Sequence, residues 1–299
     1  MKILLIIIVI GLLLAGFWQW NTQSRLYTID APLPADFPAE GFSHAELEKL
    51  LQQFVDSEGN VDYQAWYDSA DGKTHLSRYL AAVSRFSPEN TPERFASEQH
   101  SLAYWIYSYN ALVIHSILAN WPLESVTDLK APIEVIKGLG FFYNQQFIIG
   151  GKKYNLYQLE QQKMIHTKAD PRLHFVLNCA SASCPAMRPQ LPVGVELEPF
   201  LQQAAVDFIN DPQNVTIGED CKSLTVSKIF DWYLDDFARQ VTLADHNNDK
   251  SGQKSTKKHR LVDYIHGFAT VDLQNKLANC DPLTLDYKKY DWSINKSTH

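Results

Sequence analysis

Between Leu102 and Pro122 the chain carries not one Asp, Glu, Lys or Arg. The run "LAYWIYSYNALVIHSILANWP" sets Leu102, Trp105, Ile106, Tyr109, Val113 and Ile117 on one helical face. The opposite face is scarcely more polar, and a helix that is apolar all round must be enclosed. Tyr, Ser, Asn and His recur too often for a hydrocarbon span, and Trp121-Pro122 ends the run. The segment is therefore expected to be the central core helix. Asn110 lies at the edge of its apolar stripe, where a buried amide must find partners. Two uses are open to it: a structural bond to a loop, or orientation of a catalytic group.

At 299 residues and 45% hydrophobic content, there is enough apolar material for a sizeable core around that helix. "SHAELEKLLQQFVD" reads as a helix with Ser43 as N-cap and Glu46 three residues on. Further helices are expected over "THLSRYLAAVSRF", "ELEPFLQQAAVDFIN" and "SKIFDWYLDDFARQ", with two short ones over "LVDYIHGF" and "TVDLQNKLAN". "NVDYQAW" follows a Gly-Asn turn and reads as a short strand. "FFYNQQFIIGGKKYNLYQLEQ" reads as a hairpin around Gly150-Gly151, then a helix capped at Asn155. "RLHFVLN" reads as a buried strand ending at Asn178, "NVTIGEDCKSLTVSKIF" as a second hairpin, and "LTLDYKKYDWSIN" as a closing extended stretch. Helices outnumber strands and the strands pair as hairpins. The class is α+β, a helix-rich single domain with a central buried helix and β-hairpins. "HNNDKSGQKSTKKHR", with Lys250, Lys254, Lys257, Lys258 and Arg260, reads as a solvated loop rather than a basic patch for anionic lipid.

The first 20 residues, "MKILLIIIVIGLLLAGFWQW", place Lys2 and the amino terminus ahead of an uncharged apolar run. That is the layout of a signal peptide or a signal anchor. Ala15 and Gly16 are followed by bulky Phe17 and Trp18, a poor cleavage site, so the anchor is preferred. The expected organisation is a transmembrane anchor over 1–20, a linker or extended arm over 21–42, and a globular domain over 43–295. By the positive-inside rule the domain lies on the extracytoplasmic, periplasmic side of a single-pass membrane protein. A net charge of −7 argues against nucleic acid as a partner. The expected partners are the membrane, through the N-terminal helix, and a peptide or small molecule.

The chemistry concentrates in "LNCASASCP", Leu177 to Pro185. In an oxidising compartment Cys179, Cys184, Cys221 and Cys280 can pair in three ways, and spacing does not choose among them. One reading bonds Cys179 to Cys184 and Cys221 to Cys280. A second keeps a thiol: Pro185 suits the first turn of a helix, which would set Cys184 at its N-cap and lower the thiol pKa. His174 in the preceding strand would be the base, with Glu160 or Asn110 orienting its ring. A third reading, a metal held by Cys179, Cys184, His174 and Cys221, fits the spacing least. No metal and no cofactor are expected. Asp231, Asp235 and Asp236 read as the solvated side of a helix, His115 and His166 as structural or exposed, and Asp291 as a loop cap.

The segments "GNVDYQAW", "LAYWIYSYNALVIHSIL", "DPRLHFVLNCASASCPAMRP", "IFDWYLDDF" and "YDWSIN" together resemble the family catalogued as domain of unknown function 547. They span His44 to Asn295. The resemblance implies a fold group and no settled activity. Members of that family tend to carry Glu-His in the helix after the first hairpin, where this chain has Glu160-Gln161. Two functions stand side by side. One is an anchored, exported enzyme for acyl transfer or amide hydrolysis in the manner of papain-like and transglutaminase-like enzymes, with Cys184 as nucleophile, His174 as base, and Glu160 or Asn110 as orienting group. The other is a non-catalytic protein- or ligand-binding module stabilised by disulfides.

Overall fold

The Glu98–Ala119 helix has 16 of its 22 residues buried, and from Leu102 to Leu118 only His115 breaks the run, so no solvated face exists. Ser97 opens it by accepting the His100 N–H, and beyond its end Asn120 turns its amide back onto the Ser116 carbonyl. The structure, a computed structural model, describes residues 10–17, 25–131, 133–134, 137–219, 221–245, 256–280 and 284–297. The Tyr63–Asp68 and Ala70–Arg85 helices, the segment from Leu156 to Ile165 and the turn Gly194–Glu196 pack around the central helix. Helices Leu197–Asn210, Leu234–Asp245 and Lys257–Phe268 form a second group beyond the turn Pro171–Phe175. The class is α+β, as expected.

Both expected hairpins form, and each gains a third strand. In the first sheet β1 (Arg25–Tyr27) runs parallel to β2 (Gln145–Ile149), which pairs antiparallel with β3 (Lys152–Tyr154). Gly150 and Gly151 both take positive φ, the turn geometry whose twist suits a two-residue hairpin. A Cβ on Gly150 would lie 2.1 Å from Ser87 Oγ, so that turn docks where only glycine fits. In the second sheet β4 (Val215–Ile217) and β5 (Ser223–Val226) are antiparallel, and β6 (Thr284–Tyr287) joins β5 in parallel.

The arm before the domain is docked rather than free. Tyr27 stacks on Phe147, Arg85 donates to the Ala31 carbonyl, and Arg94 donates to the carbonyls of Pro38 and Gly41. Residues 10–17 are helical, and Ile10, Leu12, Leu13, Leu14 and Phe17 are exposed on that helix. Residues 1–9 and 18–20, which carry most of the expected anchor, lie outside the described residues, as do 246–255 of the basic stretch. Among the described residues no helix is long and apolar enough to cross a membrane.

Several local expectations are corrected. "NVDYQAW" is a helix over Tyr63–Asp68, because Asp62 accepts the Ala65 N–H and starts it; Val61 alone keeps extended pairing, as isolated bridges to Val55 and Lys296. Ser43 takes the Ala45 N–H, but the N-cap position belongs to His44. "RLHFVLN" is not a strand. Asp170 accepts the Arg172 N–H and Pro171 supplies the first-turn φ, so Pro171–Phe175 closes as a 3₁₀ turn. Pro185 starts no helix either: residues 185–193 have no regular structure until the turn at Gly194. The helix expected through "SKIFDWYLDDFARQ" is two, Lys228–Trp232 and Leu234–Asp245, split at Tyr233.

Cys179 is bonded to Cys184 and Cys221 to Cys280. The first closes a loop with a sequence separation of 5, the second one of 59, tying the β4–β5 turn to the end of the Val271–Asn279 helix. Chain-entropy arguments give about 2 kcal/mol for the short loop and about 4 kcal/mol for the long one. Urea unfolding of the Cys221→Ser/Cys280→Ser pair should therefore show a larger fall in midpoint than the Cys179→Ser/Cys184→Ser pair. A larger fall for the short loop would contradict the entropic account.

Candidate functional site

A single buried amide positions the cysteine loop. Asn110 donates from Nδ2 to the Val176 carbonyl (2.9 Å) and accepts the Asn178 N–H at Oδ1 (2.9 Å), gripping the backbone on both sides of Leu177. Asn178 continues the grip. Its side chain donates to the Pro185 carbonyl (2.6 Å) and accepts the Ala180 N–H (2.8 Å), holding Ala180 at a φ of 62°. An alanine in the left-handed region is strained, and the Asn178 side chain is what offsets it. From the other side the chain end is laid along the loop: Ala182 N–H donates to Ser293 O, and Asn295 N–H to Ala180 O. Asn295 also bonds Asn178 and Tyr63. Asn110 thus takes the structural of its two expected uses.

The loop presents the disulfide to a cavity of about 420 Å³, within the range of small-molecule sites. Tyr290 OH lies 2.7 Å from Ser181 Oγ, 3.1 Å from Cys179 Sγ and 3.5 Å from Cys184 Sγ. The Cys179 N–H donates to Cys184 Sγ (2.9 Å). Disulfide sulfurs carry no proton, so these hydroxyls and amides are the donors. Burial holds the hydroxyls of Tyr109, Tyr233 and Tyr290 protonated, with pKa values above the ordinary phenol.

Opposite the disulfide sit Glu160 and His174. Glu160 is 9% exposed and opens a π-helical turn, Glu160–Ile165, between the helices Leu156–Leu159 and His166–Lys168. Such turns recur at functional sites because they re-aim side chains without ending the helix. Tyr233 OH (2.8 Å) and Gln161 Nε2 (3.2 Å) both donate to Glu160 Oε1. Burial raises the Glu160 pKa; the charge of His174 and the two donors oppose it. His174 is 4% exposed, its ring lies on Tyr233 with centroids 3.8 Å apart, and its Nε2–H donates to Asp236 Oδ2 (3.0 Å). That bond, chiefly, lowers the Asp236 pKa.

The walls are aromatic. On one side Tyr143 stacks on Tyr157 at 4.5 Å. On the other, Trp232, Tyr290 and Trp292 cluster with centroids 4.5–5.6 Å apart. Tyr109, from the central helix, and Phe142 add two more rings, and Lys137, Leu177, Pro185 and Ile229 also line the cavity.

Cys184, Cys179, His174 and Glu160 therefore meet in one cavity, but not in the roles of the thiol reading. The two sulfurs are bonded to each other, so neither is the thiolate that a nucleophile or a metal ligand requires. No helix starts at Pro185 to polarise Cys184. His174 is oriented by Asp236 and Tyr233, not by Asn110, and among the described residues no hydrogen bond joins its ring to either sulfur. Also among them, no group of three or more His, Cys, Asp or Glu is arranged to hold a metal ion.

Asp231, Asp235 and Asp236, expected together on a solvated helix face, are divided by the break at Tyr233, which parts Asp231 from the other two. Asp231 pairs with Lys228 and Asp235 with Lys257, while Asp236, next to fully buried Phe237, turns inward. Tyr233 and Tyr290 belong to the site without a motif to mark them. The aromatic density of "DWYLDDF" and "YKKYDW" is the trace they leave in the sequence. His115 is largely enclosed, edge-on to Tyr27, and burial lowers its pKa to about 4. Asp291 is exposed and caps Ser293.

Residues 93–209 match the model of a family described as "Protein of unknown function, DUF547". The match covers the central helix, the first hairpin, the π turn and the whole cysteine loop. It bears out the resemblance and assigns no activity. No curated protein and no solved structure matches the chain.

Two substitutions test the site. Asn110→Ala strands the Val176 carbonyl and the Asn178 N–H in the interior, at a cost of roughly 2–4 kcal/mol; a denaturant midpoint unchanged from the parent would refute the clamp. For Glu160 the folded-state pKa lies above the unfolded value, so its ionisation weakens the fold as pH rises through that interval, while below the unfolded pKa no penalty exists. Glu160→Gln should melt higher than the parent at pH 7 and converge with it in acid. The opposite trend would show that burial does not dominate at this carboxyl.

Proposed function

We propose that the chain is a binding domain that admits a small molecule or a peptide side chain to the aromatic cavity, held at the outer face of a membrane by its N-terminal segment. The observation that carries this reading is the bond between Cys179 and Cys184 in the cavity wall. It removes the nucleophile and leaves a pocket with few polar groups among rings, the composition of a recognition site. Both disulfides suit an oxidising compartment outside the cytoplasm. The apolar run after Lys2, and the exposed leucines at 12–14, suit a segment whose natural surroundings are lipid.

A second reading is favoured by one specific observation. Glu160 and Asp236 flank the same imidazole with pKa values displaced in opposite directions, the arrangement by which a cavity separates an acid from a base. In this reading the Cys179–Cys184 bond is absent from the protein as it exists, and Cys184 is the nucleophile in the same cavity as His174. Iodoacetamide applied to the folded, non-reduced chain separates the two. The binding reading expects no adduct on any of the four cysteines, with the full chain retained in carbonate-washed membranes. A rapid adduct at Cys184, lost in His174→Ala, would sink it in favour of the enzyme.

A further inference from the structure

We propose that the cavity recognises an organic cation, an ammonium group carrying apolar substituents, with Glu160 as counter-ion and the aromatic walls as the cage. The inference rests on the binding reading above and specifies its ligand.

Glu160 is a carboxylate almost wholly enclosed by protein, and among the described residues no Lys or Arg is bonded to it. Its partners are a phenol, a primary amide and a nearby imidazole, and the two hydrogen bonds it accepts fall on the same oxygen, Oε1. A buried anion of this kind costs stability unless a cation completes its surroundings. The neighbouring charges do not supply one in full. His174 is shared with Asp236, so two carboxylates meet one imidazole; Arg239, 3.7 Å from Asp236, is itself exposed, and Lys137, which lines the cavity, is exposed as well. The enclosed carboxylates thus favour positive charge in the cavity.

The walls fit the same ligand. Ring faces attract an alkylated ammonium through their quadrupole, tryptophan best, and the attraction grows when water is excluded. Trp232 and Tyr157 are 45% and 41% exposed, one from each aromatic cluster, so large rings stand at the cavity mouth rather than in the core. Exposed aromatics grouped around a concave site mark recognition surfaces. Rings alone would admit any apolar molecule. Rings around a buried carboxylate select a cation.

The test compares two probes of equal shape, choline and its uncharged tert-butyl isostere 3,3-dimethylbutanol, by tryptophan fluorescence and titration calorimetry on the full chain. A third probe, an acetylated lysine-containing peptide, separates a free small cation from a side chain as the source of the ammonium. The expectation is about tenfold tighter binding of choline or the lysine peptide than of the isostere, the advantage of a desolvated cation–π site. Glu160→Gln should abolish that preference, with a cooperative melting curve reporting that the variant is folded. Trp232→Leu, at an exposed position, should weaken the cation more than the isostere. Equal affinity for all probes would overturn the cation assignment and leave a general apolar site. Failure of every probe to bind at millimolar concentration would overturn the binding reading with it.

Discussion

A helix with no polar face cannot lie on a surface, and that single constraint organises the protein. Every turn from Leu102 to Leu118 demands cover, so neighbouring elements are placed by what they shield. Its polar atoms are then forced into specific partnerships. Tyr104 OH reaches the Val83 and Phe86 carbonyls, Tyr107 OH the Pro192 carbonyl, and Asn110 the backbone around Leu177. Because these bonds point in different directions around one axis, the helix fixes the relative positions of segments far apart in sequence. Desolvated donors tolerate little slack, and the arrangement inherits that precision.

The cysteine loop shows how such precision reaches a working surface. It has no helix or strand of its own. Asn110, Asn178 and Asn295 form a buried amide chain that holds it from within, and residues 291–295 hold it from outside. The disulfide then sits where a 420 Å³ cavity opens, with Tyr290 bridging loop and wall. The rings of the wall come from the 139–159 region, the broken helix around Tyr233 and the chain end. None of these segments alone makes a site.

Within the cavity, burial and partnership pull in opposite directions. Glu160 is destabilised as an anion by its enclosure, whereas Asp236 is stabilised as an anion by the imidazole it holds. A fold that keeps such a carboxyl enclosed gives up stability locally, the usual mark of a position retained for its chemistry. Bonded to each other, Cys179 and Cys184 carry no free thiol beside that carboxyl.

Much of the scaffold was legible from residues alone. The uncharged run announced an enclosed helix, Gly150-Gly151 and Asn155 announced a hairpin followed by a cap, and the turn-flanked apolar stretches announced the second hairpin. These follow from short-range rules, propensity, period and capping, that act within a few residues. The same rules misread "RLHFVLN" and "NVDYQAW", where an aspartate cap outweighed an apolar pattern. The site was legible only as a set of candidates. Which sulfur bonds which, that Asp236 and not Glu160 or Asn110 holds His174, and that Tyr233 and Tyr290 close the cavity are decided by distances between residues from 5 to 111 positions apart in the chain. Sequence determined what must be buried; only the tertiary structure decided what meets inside, because side-chain chemistry acts over a few ångströms while the pattern that predicts burial carries no information about long-range neighbours.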